Sequence, residues 1–208
     1  MKRGRFITLE GGEGTGKSTL ARGLGEVLRG QGRDVVLTRE PGGAPGADAI
    51  RALLVQGEAS RWSALEEALL FAAARLNHLN HTIRPALARG AWVICDRYAD
   101  STRAYQVGAG GLDGGVLEQL NTLIGADAPD LTFVLDLSPD AGLARSRGAE
   151  AGEDRFERKG AEFHQRVRAE FLAIATREPR RCVVIDASAR AEEVLARALA
   201  AVEARLGV

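Results

Sequence analysis

Five short runs along the chain are apolar at nearly every position: FITLE (6–10), DVVLT (34–38), WVICD (92–96), LTFVLDL (131–137) and CVVID (182–186). A strand with one wet face alternates between apolar and polar residues. Unbroken runs of this length fit strands covered on both faces. Between them lie Ala/Leu-rich stretches with a helical period, over 17–30, 46–56, 64–89, 113–124, 139–147, 160–177 and 190–206. The alternation predicts an α/β fold, a doubly wound five-stranded parallel sheet with helices on both faces. One segment breaks the pattern: SRGAEAGEDRFERKG (146–160) is rich in charge and glycine and poor in apolar residues. It reads either as a linker or, placed between two helical segments, as a short mobile lid on one edge. At 208 residues without internal repeats, a single domain over 1–208 is expected, with a lid at about 146–160.

Ligands of such sheets sit beyond the C-terminal strand ends, so the residues after each run carry the functional reading. The first run leads into EGGEGTGKST, where Gly11, Gly16, Lys17 and Ser18 fit G-x-x-x-x-G-K-[ST] between a strand and a helix. Glycines let successive backbone N–H groups turn inward around phosphate oxygens, and the following helix adds its N-terminal partial charge. The expected nucleotide-phosphate set is Gly11, Gly12, Glu13, Gly14, Thr15, Gly16, Lys17, Ser18 and Thr19, a P-loop NTPase-type site shared by GTPases, ATPases and kinases. Lys17 would bridge the β and γ phosphates, and the Ser18 hydroxyl would meet Mg²⁺. A glycine turn with a capped helix shares the composition, but a chance match to the whole pattern is rare at ordinary glycine usage.

Composition narrows the class. Lys plus Arg and Asp plus Glu balance at 28 each, so no global field for nucleic acid is present. Only three of the basic residues are lysines, Lys2, Lys17 and Lys159, and no N-K-x-D guanine reader exists. That argues against a GTPase. Cys95 and Cys182 lie in apolar runs and read as buried thiols. His78, His81 and His164 lack metal-ligand spacing, and the first two read as one polar helix face. Without a signal-type h-region or an apolar stretch of about 18 residues, a soluble, cytoplasmic protein is expected, with no membrane or nucleic-acid partner.

The later strand ends are the candidate acceptor side. CDRYADSTRAYQ follows the third run. Asp96 suits either Mg²⁺ bound through water or a partner that orients Arg97, whose planar fork matches a phosphate. TREPGG follows the second run, with Arg39 and Glu40 ahead of Pro41. Glu40 points to the metal or the acceptor phosphate, although a simple turn also explains the stretch. The Glu40–Pro41 bond is a candidate for the cis form. LLFAAARLNHL sets Phe71 and Arg75 four apart on one helical face, fit to stack a base and reach its edge, or to act as core plus a solvated arginine.

Together, ITLEGGEGTGKST, TREPGG, LLFAAAR, DRYADSTRAYQ and PDLTFVLDL, in this order, resemble the bacterial thymidylate kinase family over nearly the whole chain. The resemblance implies transfer of the γ-phosphoryl of MgATP to thymidine 5′-monophosphate, by a homodimer. It implies catalytic roles for Lys17, Arg97, Arg147, Arg155 and Glu40, and Mg²⁺ at Ser18 and Asp96, through water at the latter. The implied acceptor set is Glu13, Arg39, Phe71, Arg75, Arg97, Ser101, Thr102, Tyr105 and Gln106. In it Phe71 stacks on thymine, Arg75 reaches its O4, and Tyr105 crowds the 2′ position. The phosphate loop contains no arginine, which resembles the branch whose lid supplies them. Arg147 and Arg155 rank ahead of Arg158 for that role, with Arg145 placed nearer the adenine. A different nucleoside monophosphate kinase and a regulatory ATP-binding switch are the rival readings. Neither accounts for TREPGG and STRAYQ.

Overall fold

A computed structural model describes residues 3–146 and 155–207. Five parallel strands, β1 (Phe6–Glu10), β2 (Val35–Arg39), β3 (Trp92–Asp96), β4 (Leu131–Asp136) and β5 (Cys182–Asp186), form one sheet in the order β2-β3-β1-β4-β5. The apolar runs thus became strands within a residue or so. β1 lies at the centre and is buried at all five positions. Its alternate residues face opposite layers. Ile7 and Leu9 pack with Leu20, Leu24 and Leu28 of α1 (Lys17–Gly30) and Val194 and Ala198 of α9 (Ala191–Leu206). Phe6 packs with Leu79, Ile83 and Leu87 on the other face.

Glu10 shares that second face with Phe6 and Thr8, and all three are inaccessible to solvent. A polar seam therefore runs beneath the site. Thr8 and Thr132 hydroxyls meet at 2.7 Å, and Arg181 donates to Thr132 Oγ1 at 2.9 Å and to both oxygens of Asp100. Buried polar groups of this kind persist because each finds a partner.

The expected helix over 64–89 is divided. α3 (Ala64–His78) opens on a reciprocal cap in which Ser63 Oγ accepts from the Glu66 N–H and Glu66 accepts from the Ser63 N–H. A π-helical turn over Leu79–Ile83 then leads to α4 (Arg84–Ala88). Pro85 has no N–H to continue the α ladder, which accounts for the break there. The remaining helices are α2 (Pro45–Val55), α5 (Ala99–Thr102), α6 (Gly114–Leu123), α7 (Pro139–Ser146) and α8 (Ala161–Arg177). Both cysteines are buried free thiols, and no helix among the described residues is long and apolar enough to cross a membrane.

Candidate active site

The loop between β1 and α1 closes on its own carbonyls. Lys17 is 8% exposed, and its Nζ donates to Gly12 O at 2.6 Å, Gly11 O at 3.3 Å and Thr15 Oγ1 at 3.2 Å. Burial, joined by the nearby Arg97 charge, lowers its pKa to about 8 despite Asp96, Glu13 and Glu10. Gly14, at φ 63°, rests against α7, where an added Cβ would fall 1.9 Å from the Gly142 carbonyl oxygen. Only glycine fits that approach. One turn into α1, Ser18 Oγ donates to Asp96 Oδ2 at 2.5 Å, so the hydroxyl and the β3 carboxylate converge as expected. On the outer side Thr15, Gly16 and Thr19 line a second cavity with Arg145, whose Nη1 donates to Ala187 O at 3.0 Å.

Arg97 joins the two halves of the site. Its guanidinium donates to Gly11 O at 2.8 Å, Ser101 Oγ at 3.1 Å and Tyr105 Oη at 3.2 Å, and it lies 3.0 Å from Glu13. Its backbone is the one non-glycine with positive φ (68°) among the described residues, a conformation that costs energy unless neighbours hold it. Glu10 holds it. Its carboxyl accepts from the Tyr98 N–H at 2.8 Å and from Ser101 Oγ at 2.6 Å, bracketing Arg97. Burial, with Asp100 adding to it, pushes the Glu10 carboxyl up to about 8. Burial acts the same way on Glu13, but Arg97, Lys17 and the Tyr105 hydroxyl outweigh it and hold that carboxyl at about 2.

α5 runs into a π-helical turn over Arg103–Ala109, which turns Ser101, Thr102, Tyr105 and Gln106 toward one cavity. Glu13, Phe71, Arg75 and Arg97 line the same cavity, so the structure gathers every acceptor-side residue expected from the sequence except Arg39. Arg39 is exposed at the end of β2. Arg75 is almost wholly buried and held by Glu40 Oε2 at 2.8 Å and Thr102 Oγ1 at 3.0 Å.

Three residues are held differently from the sequence reading. Glu40, expected at the metal or the acceptor phosphate, lines the acceptor cavity, but its two oxygens accept from Arg75 and meet His78 Nδ1 at 3.1 Å. The Glu40–Pro41 bond after it is cis. His78 is not on a polar face with His81. It is fully buried between Glu40 and Thr38, while His81 is exposed. Arg155, expected on the transferring phosphoryl, is also fully buried. It donates to the carbonyls of Leu54, Glu58 and Ala59 and pairs with Glu67 at 2.6 Å, and none of these partners belongs to the phosphate loop. The backbone carbonyls left over at the end of α2 draw the guanidinium there. Arg158 donates to Gly57 O at 2.6 Å in the same region. Arg147 lies outside the described residues.

Sequence reasoning missed Glu10, Glu67 and Phe156. Glu10 carried a signal, since it is the one charge in the FITLE run. Phe156 lines the acceptor cavity, 6.2 Å from the Phe71 ring and 5.7 Å from Tyr105.

A phosphate loop with a buried lysine, facing across Arg97 a cavity of ring and guanidinium groups, defines a P-loop kinase acting on a small phosphorylated acceptor. A sequence profile described as Thymidylate kinase matches residues 9–198. Thymidylate kinase of Caulobacter vibrioides is 53% identical over 209 residues, covering 100% of both chains. That of Dinoroseobacter shibae is 52% identical over 197 residues, covering 95% of each. The crystal structure of thymidylate kinase from Ehrlichia chaffeensis superposes with a TM-score of 0.80 at 34% identity, covering 96% of this chain and 99% of that one. The chain belongs to the thymidylate kinase family.

Proposed function

We propose that the enzyme transfers the γ-phosphoryl of ATP to thymidine 5′-monophosphate, with the acceptor in the cavity between Phe71 and Gln106 and the donor on the phosphate loop. The observation that carries this placement is Arg97, whose one guanidinium touches both the phosphate loop at Gly11 and the acceptor wall at Ser101 and Tyr105.

Lys17 exchanges its carbonyl contacts for the β and γ phosphate oxygens. Arg97 turns from Glu13 to the acceptor phosphate, leaving Glu13 to accept from the sugar 3′-hydroxyl. Phe71 stacks on the base, Arg75 donates to O4, and the Tyr105 ring excludes a 2′-hydroxyl. Arg145 borders the adenine. The chemistry is in-line displacement, in which positioning and charge do the catalysis and no covalent intermediate forms. Arg147 is proposed as the lid arginine on the transferring phosphoryl.

The donor set fits magnesium. Ser18 Oγ and Asp96 Oδ2 are hard oxygen ligands 2.5 Å apart beside the lysine, and Mg²⁺ needs few protein ligands because phosphate oxygens and water complete its shell. When bound it neutralises charge on the β and γ oxygens. A homodimer is supported by Leu65, Leu69 and Leu76, which project from one side of α3 at 45%, 49% and 37% exposure.

The test is ADP formation from MgATP with each nucleoside monophosphate in turn. Stimulation by thymidine monophosphate, with thymidine diphosphate as product, is expected. Preference for another monophosphate would overturn the base placement, and turnover with no acceptor dependence would overturn the reading altogether.

A further inference from the structure

Glu67 of α3 is 1% exposed and makes no direct contribution to the cavity wall, yet three groups converge on its carboxylate. Arg155 Nη2 donates to Oε1 at 2.6 Å and Lys159 Nζ to the same oxygen at 3.2 Å. Gln106 Nε2 donates to Oε2 at 2.7 Å. Gln106 is fully buried in the cavity wall, and its Oε1 has no hydrogen-bond partner among the described residues. A buried carbonyl oxygen without a partner is costly, and a ligand N–H would recover that cost.

We propose that Glu67 is a positioning residue for acceptor selection: it fixes which end of the Gln106 amide faces the base and ties that choice to the 155–159 segment. The chemistry admits one arrangement. An ion-paired carboxylate only accepts, so the amide NH₂ must turn toward Glu67 and the carbonyl oxygen must turn away. The cavity therefore offers an acceptor at this point. It matches the N3–H of thymine and opposes the N3 lone pair of cytosine. The same carboxylate anchors Arg155 and Lys159, and both lie over the Phe156 ring at 5.1 and 5.0 Å. Glu67 thus joins the apolar wall of the base cavity to its polar reader. The inference rests on the base placement proposed above.

The substitution Glu67→Gln separates this role from a structural one. Arg155 and Lys159 can only donate, so they hold the new amide's oxygen. The new NH₂ is left facing Gln106, whose amide must then reverse and present NH₂ to the base. The ratio of kcat/KM for thymidine monophosphate to that for deoxycytidine monophosphate is expected to fall by about tenfold or more, with KM for ATP unchanged. The Arg75 contact at the 4-position is common to both proteins and cancels from this change. Should the single variant fail to fold, E67Q/R155Q removes the buried charge on both sides while Lys159 preserves the amide's orientation, and the same fall is expected. Gln106→Leu is measured alongside. A ratio altered by Q106L but not by a folded Glu67 variant would overturn the inference. A ratio altered by neither would overturn the base placement and the inference with it.

Discussion

The Tyr105 hydroxyl donates to Glu13 at 2.7 Å while accepting from Arg97 at 3.2 Å, closing a triangle in which the acid and the arginine are themselves 3.0 Å apart. Without nucleotide the two charges satisfy each other. Under the proposed placement, acceptor binding divides them between its phosphate and its sugar. Arg97→Met is expected to lower kcat/KM for thymidine monophosphate by at least about a hundredfold, because a charge facing the phosphoryl group is lost. Tyr105→Phe removes one hydrogen bond and is expected to cost about tenfold or less. Steady-state kinetics with both variants tests this ordering, and equal losses would show that the triangle does not act through Arg97.

Lys17 predicts a proton linkage. Burial lowers its pKa to about 8 from an ordinary 10.5. Donor phosphates favour the charged amine and raise the value again. Binding a non-hydrolysable ATP analogue at pH 8 to 9 is therefore expected to take up protons, and affinity is expected to weaken as pH rises through that range. Calorimetry in two buffers of different ionisation enthalpy reads the uptake directly. Lys17→Met should abolish it.

Glu10 predicts a pH dependence of stability. Its folded pKa of about 8 lies above the ordinary 4.5. Between those values the folded protein keeps a proton that the unfolded chain has released. Its contribution is complete below pH 4.5 and is lost as pH rises through about 8. Urea unfolding at pH 5 and pH 8.5 should show the wild type losing stability relative to Glu10→Gln across that interval. Parallel curves would show that Glu10 is ionised throughout.

Arg75 and Glu40 form an ion pair with side chains 1% and 4% exposed. Removing one charge strands the other, at a cost of about 3–5 kcal/mol. Glu40→Leu is expected to lower stability on that scale, and Arg75→Met by a similar amount. The double variant should recover much of the loss, as judged from denaturant midpoints.

The sheet was legible because its three central strands are buried at nearly every position, so that FITLE, WVICD and LTFVLD are mostly apolar. The phosphate loop was legible because backbone geometry there demands glycine at set intervals. The acceptor residues were found as short motifs, but their roles within the pocket were not. Sequence spacing sets Phe71 and Arg75 on one face and says nothing about which carboxylate 35 residues earlier will hold the guanidinium. Arg155 shows the same limit. In a charged glycine-rich stretch it resembles a solvated or catalytic arginine, and only the tertiary paths of α2, the loop after it and α3 bring carbonyls and Glu67 around it. His78 was misplaced for the opposite reason. A helical period identifies a face, but the π turn after His78 and the Glu40 carboxylate beneath it make that face interior.

The contact between Gly14 and Gly142 ties two parts of the molecule at the level of bare backbone. A Cβ on Gly14 would lie 1.9 Å from Gly142 O, and one on Gly142 would lie 2.3 Å from Glu13 O. No side chain cushions this seam. Any tilt of α7 must therefore be answered by the loop proposed to hold the donor phosphates and, through Glu13, by the carboxylate proposed to face the acceptor. Donor and acceptor registration thus has a mechanical datum, set by two absent side chains.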